Sequence, residues 1–470
     1  MQTKNSYDVI IIGAGISGLV CGCYLAKAGM RVLIVEQHDK PGGYCTSFKR
    51  SGFTFDAAAH SFGSYRESGH VRKVFADLGV DNIVKIRRYD PSDCIITPDF
   101  QVTFWNDSKA TIAGLAKIFP SEKVNIINFF NFLMSPDQSE FAKLKNQTFD
   151  SLLRSFFSDE KLVSLLAFFM LGNGGLTPTL MHAFSGAKIF SEFIIDGGYY
   201  PEGGMQNIPN ALDFILKKNN GEILYRRQVK KIIIQNNLIG GVELDDNETF
   251  SSKYVVAACD MRQTLKNLLG DKITGKQRTD RLNNLLPSLS SFILYLGIKS
   301  PFKGLPQRGT NMWYLPNYDL DKIYRQVQNG KLNNAGIFML RVSPDEKTMI
   351  VFMAAPFKTR AYWKENKRKT AQDCLTIINK MIPDIADHIT YFDAATPFTL
   401  YDYTLNYKGA AYGWAKTPSQ TFDSIFSRTS FIAGLYLTGH WTSLAFGIPG
   451  TCYSGQDTAK RILRKEKVLV

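Results

Sequence analysis

Gly13-Ala14-Gly15-Ile16-Ser17-Gly18, followed at the end of the next apolar run by Glu36 and Gln37, has the residue types and spacing to hold a dinucleotide. Gly13 permits a tight turn, Gly15 leaves room for a pyrophosphate to approach the backbone, and Gly18 lets a helix pack closely on a strand. Ile16 and Ser17 open that helix, so its N–H donors and positive dipole end face the anion. Glu36 would accept hydrogen bonds from an adenosine ribose. The elements that position these groups are legible around them. Asp8 to Ile12 is a β-branched run suited to a buried parallel strand, Leu19, Tyr24, Leu25 and Ala28 continue a helical pattern, and Arg31 to Val35 reads as a second strand. Elsewhere the chemistry is sparse. There is no Ser-His-Asp arrangement or pair of catalytic carboxylates, and the six histidines show no metal-ligand spacing, so no metal is expected. His60, after Phe55-Asp56-Ala57-Ala58-Ala59, is a candidate to protonate or orient a substrate, although a buried structural histidine is the commoner use of that residue.

Pro41-Gly42-Gly43 decides which dinucleotide. The stretch Gly42 to Asp56 resembles the turn found in the phytoene desaturase, carotenoid isomerase and retinol saturase group of glutathione-reductase-type FAD proteins. That resemblance implies FAD as the single cofactor, with Gly42 and Gly43 carrying the chain along it. Residues 221–258 resemble the strand series whose Val backbone contacts the flavin adenine, and Val229 is the matching position. Leu435 to Trp441 and Gly447 to Gly450 resemble the closing FAD motif. Gly439, His440, Gly447, Ile448 and Pro449 would then border the flavin, and a helix from Thr451 to Leu463 would aim its positive end at the pyrimidine carbonyl. His440 is a departure: many proteins of this fold place an acid there to hold a ribityl hydroxyl. Tyr199 to Met205 looks like the turn by which the chain re-enters the FAD domain. Tyr407 to Trp414 resembles a segment close to the isoalloxazine. On that reading Tyr412, Trp441 and His60 are the candidate catalytic residues, the two aromatics as walls of the flavin site.

Composition sets the frame. At 470 residues, 44% hydrophobic and 21% charged, the chain reads as two or three globular units with a substantial core. Aromatics reach 13%, as in a large core or a pocket for a bulky apolar ligand. Lys plus Arg exceed Asp plus Glu by 14, which favours anionic surfaces. No nucleic-acid motif accompanies that charge, so nucleic acid is not expected, and an anionic membrane face stays open. Seven dispersed cysteines without a Cys-x-x-Cys pair read as reduced thiols of a cytoplasmic protein, peripheral to the membrane if it meets one. Cys45 and Cys452, near the FAD motifs, read best as small buried hydrophobes.

The expected fold is α/β: a Rossmann-type FAD domain built from discontinuous segments 1–75, 196–275 and 420–470, with a second mixed-sheet substrate domain from 76–110 and 276–419. Residues 111–195 form a helical insertion, a lid or membrane-facing element. Its run Phe168-Phe169-Met170-Leu171 leaves little polar circumference, so some of it must face another apolar surface. The leading functional expectation is desaturation or saturation of carbon–carbon bonds in an apolar polyene or isoprenoid lipid by hydride transfer with flavin N5. Alternatives are a reduced-flavin carotenoid cis–trans isomerase, a flavin amine oxidase and, last, a non-catalytic isoprenoid-binding escort protein. The substrate's identity, the direction of hydride flow and the electron acceptor are left open.

Overall fold

The computed structural model describes residues 5–135, 144, 146–299, 302–332, 338–442 and 446–468. The apolar run ahead of the glycines becomes strand Ser6–Ile12, whose last four residues are buried, as a strand covered on both faces requires. Thr249–Ala257 and Val32–Val35 flank it in parallel. Glu222–Leu224 extends the sheet beyond Val32–Val35, and Leu435–Leu437 lies parallel to Val255–Ala257. The first half of Thr249–Ala257 pairs instead with Leu238–Leu244, which forms an antiparallel hairpin with Val229–Gln235. Strands far apart in the chain thus close one sheet. Helices Ile16–Lys27, Gly447–Lys465, Asn207–Lys218 and His70–Leu78 pack on one face through residues such as Leu19, Ile462, Leu212 and Val74. Met261, Leu265, Trp414 and Trp441 cover the other. The closing helix starts at Gly447 rather than Thr451. Pro449 sits in its first turn, where the missing N–H has no intrahelical acceptor to lose.

A second seven-stranded sheet runs in the order Ile389–Ala395, Ser290–Ile298, Thr348–Ala355, Phe338–Val342, Asn311–Tyr314, Asp93–Ile96, Gln101–Phe104. Every pairing is antiparallel except that of Asn311–Tyr314 with Asp93–Ile96. Directly paired residues share a face. Trp313, Met339, Phe352 and Ile293 therefore form one apolar row. Two residues along the strands, Asp93, Asn311, Arg341 and Ile350 form the next row on the same face.

The helical insertion packs on this second sheet in one continuous core. Phe129, Leu165, Leu166, Phe169 and Met170 are all fully buried there, and Phe168 and Phe169 meet the Trp313 ring edge-on at 5.8 and 5.6 Å. The apolar surface that Phe168 to Leu171 needed is the sheet and the cavity it borders, not lipid. Met134, by contrast, is exposed. No helix of the described residues is long and apolar enough to cross a membrane.

Candidate active site

The fingerprint loop ends in helix Ile16–Lys27, whose N-terminus no side chain caps. Its first-turn N–H groups therefore need a partner from outside the helix. A Cβ built on Gly15 would meet nothing within 4 Å, so the loop leaves an open cradle at the place a pyrophosphate must approach. Gly18 is different. Its Cβ would stand 2.2 Å from the Gly13 carbonyl oxygen, and the residue does not line the cleft: it is a packing position rather than a cofactor contact. Gly42 donates its N–H to the Ala14 carbonyl at 2.8 Å, laying the Gly42-Gly43 turn across the loop. Glu36 accepts from the Ala14 N–H at 2.7 Å and the His38 N–H at 2.9 Å, which fixes the carboxylate while leaving lone pairs for ribose hydroxyls. Gln37 donates to the Tyr403 carbonyl at 3.1 Å, and Val229 is buried at the start of its strand; both line the cleft.

At the other end, Gly439, His440, Trp441, Gly447 and Ile448 line the same cleft, and the closing helix also opens without a side-chain cap. Pro449, buried inside that first turn, does not reach it. Ser454 on this helix is a hub that the sequence did not single out. Its Oγ accepts the Gly439 N–H at 2.9 Å and lies within hydrogen-bond distance of Thr438, Thr442 and Arg428. Asn406 is a second. Its Oδ1 accepts from Trp441 Nε1 at 2.7 Å and meets His440 Nε2 at 3.3 Å. Burial, then the nearby Lys416 charge, pushes His440 down to about 3, so it stands as a neutral ring at the position where an acid was the alternative. Asp260 accepts the N–H groups of Arg262, Gln263 and Tyr407 and thereby ties the loop leading to Asn406 onto the sheet. Burial pushes its carboxyl up to about 6, against those three hydrogen bonds.

The cleft continues into a cavity above the second sheet, and the two together enclose about 350 Å³, within the ~300–1,000 Å³ typical of small-molecule sites. Its floor is the apolar row Trp313, Met339, Phe352 and Ile293, and Phe168 and Leu171 close one side. All three catalytic candidates border it. His60 lies 4.7 Å from the Phe352 ring, with Nδ1 3.2 Å from the Ala58 carbonyl; burial, with the Arg341 charge adding to it, lowers it to about 3. Tyr412 donates its hydroxyl to the Gly172 carbonyl at 2.6 Å, and burial holds it as a phenol, so it is a wall and not an acid or base. Trp441, edge-on to Trp414 at 4.9 Å, is likewise a wall. Tyr407 and Trp414 do not reach the cavity. Tyr44 does, and donates to the Ala410 carbonyl at 3.2 Å. Cys45 lines the cleft, Cys452 is buried behind it, and burial raises both thiols.

A dinucleotide-type domain with a parallel-cored sheet, opening onto a second sheet with an apolar floor, is a layout suited to a flavoprotein oxidoreductase. The chain matches the flavin-containing amine oxidoreductase family over residues 16–463 and belongs to it. FAD is its cofactor, and the open Gly15 cradle, uncapped helix ends and fixed Glu36 fit that molecule. The all-trans-retinol 13,14-reductase of Rattus norvegicus is 24% identical, over 93% of this chain and 83% of that protein. The lycopene-forming phytoene desaturase of Pseudescherichia vulneris is 24% identical, over 97% of this chain and 98% of its own. Among solved structures, an oxidoreductase from Methanosarcina mazei superposes with a TM-score of 0.68 at 16% identity, covering 96% of this chain and 100% of that one.

Proposed function

We propose that this oxidoreductase transfers hydride between FAD and carbon–carbon bonds of an apolar polyene or isoprenoid lipid, in the desaturating or the saturating direction. The cavity carries the reading: its floor is the row Trp313, Met339, Phe352 and Ile293, continuous with the dinucleotide cleft. Such a surface takes flat hydrocarbon and excludes water from the reacting bond. Bound flavin supplies the hydride chemistry. The chain's own groups do the rest. The Gly15 loop would hold the pyrophosphate and Glu36 the adenosine ribose, and the uncapped helix end at Gly447 would favour negative charge placed before it. Trp441, fixed by Asn406, and Tyr412, fixed by Gly172, set the width of the slot. His60, held neutral by burial and the Arg341 charge and with Nδ1 3.2 Å from the Ala58 carbonyl, would orient the substrate rather than carry a proton. The names of the reductase and desaturase relatives support the same substrate class.

Anaerobic mixing tests this. A saturated isoprenoid or partly desaturated polyene should bleach the visible flavin band if the enzyme desaturates. A polyene should restore the band of dithionite-reduced protein if it saturates. Bleaching by primary amines, with no response to polyenes in either direction, would overturn the proposal in favour of amine oxidation.

A further inference from the structure

The row beside the apolar floor is polar and almost wholly buried. Asp93 is 1% exposed, Arg341 2% and Asn311 5%. Asp93 Oδ1 accepts from Trp313 Nε1 at 2.7 Å and from Asn311 Nδ2 at 3.0 Å, and Asn311 Oδ1 accepts from Arg341 Nη1 at 3.0 Å. Asn311 thus bridges acid and base. The Arg341 guanidinium lies 5.3 and 5.7 Å from the Tyr200 and Tyr89 ring centroids, a favourable seat for a cation. One feature of this network is unfinished. Asp93 Oδ2 is buried with no hydrogen-bond partner, and so is Arg341 Nη2. An unmet buried carboxylate oxygen is costly, and Asp93 lines the cavity.

We infer that Asp93, backed by Asn311 and Arg341, is a subsite for a hydroxyl group on an otherwise apolar substrate, completing the Asp93 carboxyl from inside the cavity. This rests on the apolar-substrate reading above and narrows it from hydrocarbon to alcohol. The chemistry selects a hydroxyl over other end groups. A hydroxyl donates to a carboxylate oxygen and accepts from a protonated one, so it satisfies Asp93 in either form. A carboxylate would face Asp93 directly. An ammonium would meet a row already neutralised by Arg341 and would have to shed its hydration in an apolar cavity. The apolar row lies two residues away along the strands, roughly 7 Å, so hydrocarbon on Trp313 and Met339 and a hydroxyl on Asp93 belong to one ligand pose.

Dodecan-1-ol, n-dodecane and dodecylamine serve as probes. Their binding to the flavin-loaded protein is followed by tryptophan fluorescence and needs no turnover. The alcohol should bind at least roughly tenfold more tightly than the alkane, the usual gain of a hydrogen bond to a charged group, and more tightly than the amine. Asp93→Asn keeps an oxygen for Trp313 and Asn311 and an amide group for the hydroxyl, so it should hold the preference within about threefold. Asp93→Leu should erase it. Equal binding of alcohol and alkane by the unaltered protein would mean that only an internal water meets Asp93, and would overturn the inference even if Asp93→Leu fails to fold. Tighter binding of the amine, or a folded Asp93→Leu protein that still prefers the alcohol, would overturn it as well. Flavin bleaching by polyenes without alcohol preference would reject the subsite alone. Alcohol preference without any redox response to polyenes would reject the proposed reaction and leave the subsite standing.

Discussion

Gly15 and Gly18 stand three residues apart, yet alanine should act on them in opposite ways. Gly15 has φ −68° and ψ 170°, which any residue adopts, and a Cβ there meets nothing within 4 Å. In the cofactor-free protein Gly15→Ala should be neutral or stabilising by about 0.4–1 kcal/mol, through a less flexible unfolded chain. The new methyl, however, stands about 1.5 Å off the backbone, where the pyrophosphate must come closest. An anion displaced by that much loses its short hydrogen bonds to the helix N–H groups. Two such bonds at ~1.5–3 kcal/mol each give about 3–6 kcal/mol, or roughly 10²- to 10⁴-fold in flavin Kd. Gly18→Ala instead drives a Cβ to 2.2 Å from the Gly13 carbonyl oxygen and 3.1 Å from the Ala258 Cβ. Backbone cannot yield there as a side chain would, and overpacking of ~1–3 kcal/mol or more should lower the melting temperature with or without flavin. Flavin fluorescence titration of stripped protein and thermal melts of the same samples separate the two effects. A Gly15→Ala protein that binds FAD within threefold of the parent would refute the cradle argument.

Other substitutions probe the supports. Asn406→Ala leaves the Trp441 indole N–H buried without its acceptor, at a cost of ~1–3 kcal/mol, and should alter the visible flavin spectrum because Trp441 walls the slot. Asp260, raised from 3.8 to about 6, binds its proton more tightly folded than unfolded. Its contribution is full below pH ~4 and falls by roughly 3 kcal/mol as pH rises through 6, so Asp260→Asn should flatten denaturant-measured stability across that window. Phe169→Ala should cost ~3–5 kcal/mol, as a core position would, while Val124→Ser at a 67% exposed site should stay within ~0.5 kcal/mol; equal small effects on urea midpoints would return the helical insertion to a lid. Any binding to phosphatidylserine vesicles that a net charge of +14 drives should fall steeply with added salt, and salt-independent binding would remove charge as the cause.

The dinucleotide half of the site was readable because its information is local. Gly13 to Gly18, Glu36, Gly439 to Trp441 and Gly447 to Pro449 each carry their geometry in a few consecutive residues. Even there, packing glycine and contact glycine look alike in a string of letters, and only the 2.2 Å approach to the Gly13 carbonyl separates Gly18 from Gly15. The closing helix was expected to start at Thr451 and starts at Gly447; Pro449 does sit in its first turn, as its fixed φ suits, but a proline there says nothing of whether it borders the cleft. The substrate half was not readable. Asp93, Asn311 and Arg341 lie on three strands brought together by sheet register, and nothing near any one of them announces the others. Asn406 is similarly silent, since its meaning lies in Trp441 and His440 on a distant segment. The aromatic helices were read correctly as needing an apolar partner, but periodicity does not say whether that partner is lipid or the protein's own second sheet.

The seating of Leu435–Leu437 beside Val255–Ala257 also fixes when the protein can become whole. A ribosome releases the two strands about 180 residues apart, roughly 10–35 s at ~5–20 residues per second. For that interval the inner edge of the first sheet has an open row of backbone donors and acceptors, an invitation to pairing with another nascent chain. The closing helix, which seats Gly455 against the Ser17 carbonyl, arrives later still. FAD therefore meets a finished cleft only once the helix through Lys465 has left the ribosome, long after the glycine loop that begins the cleft.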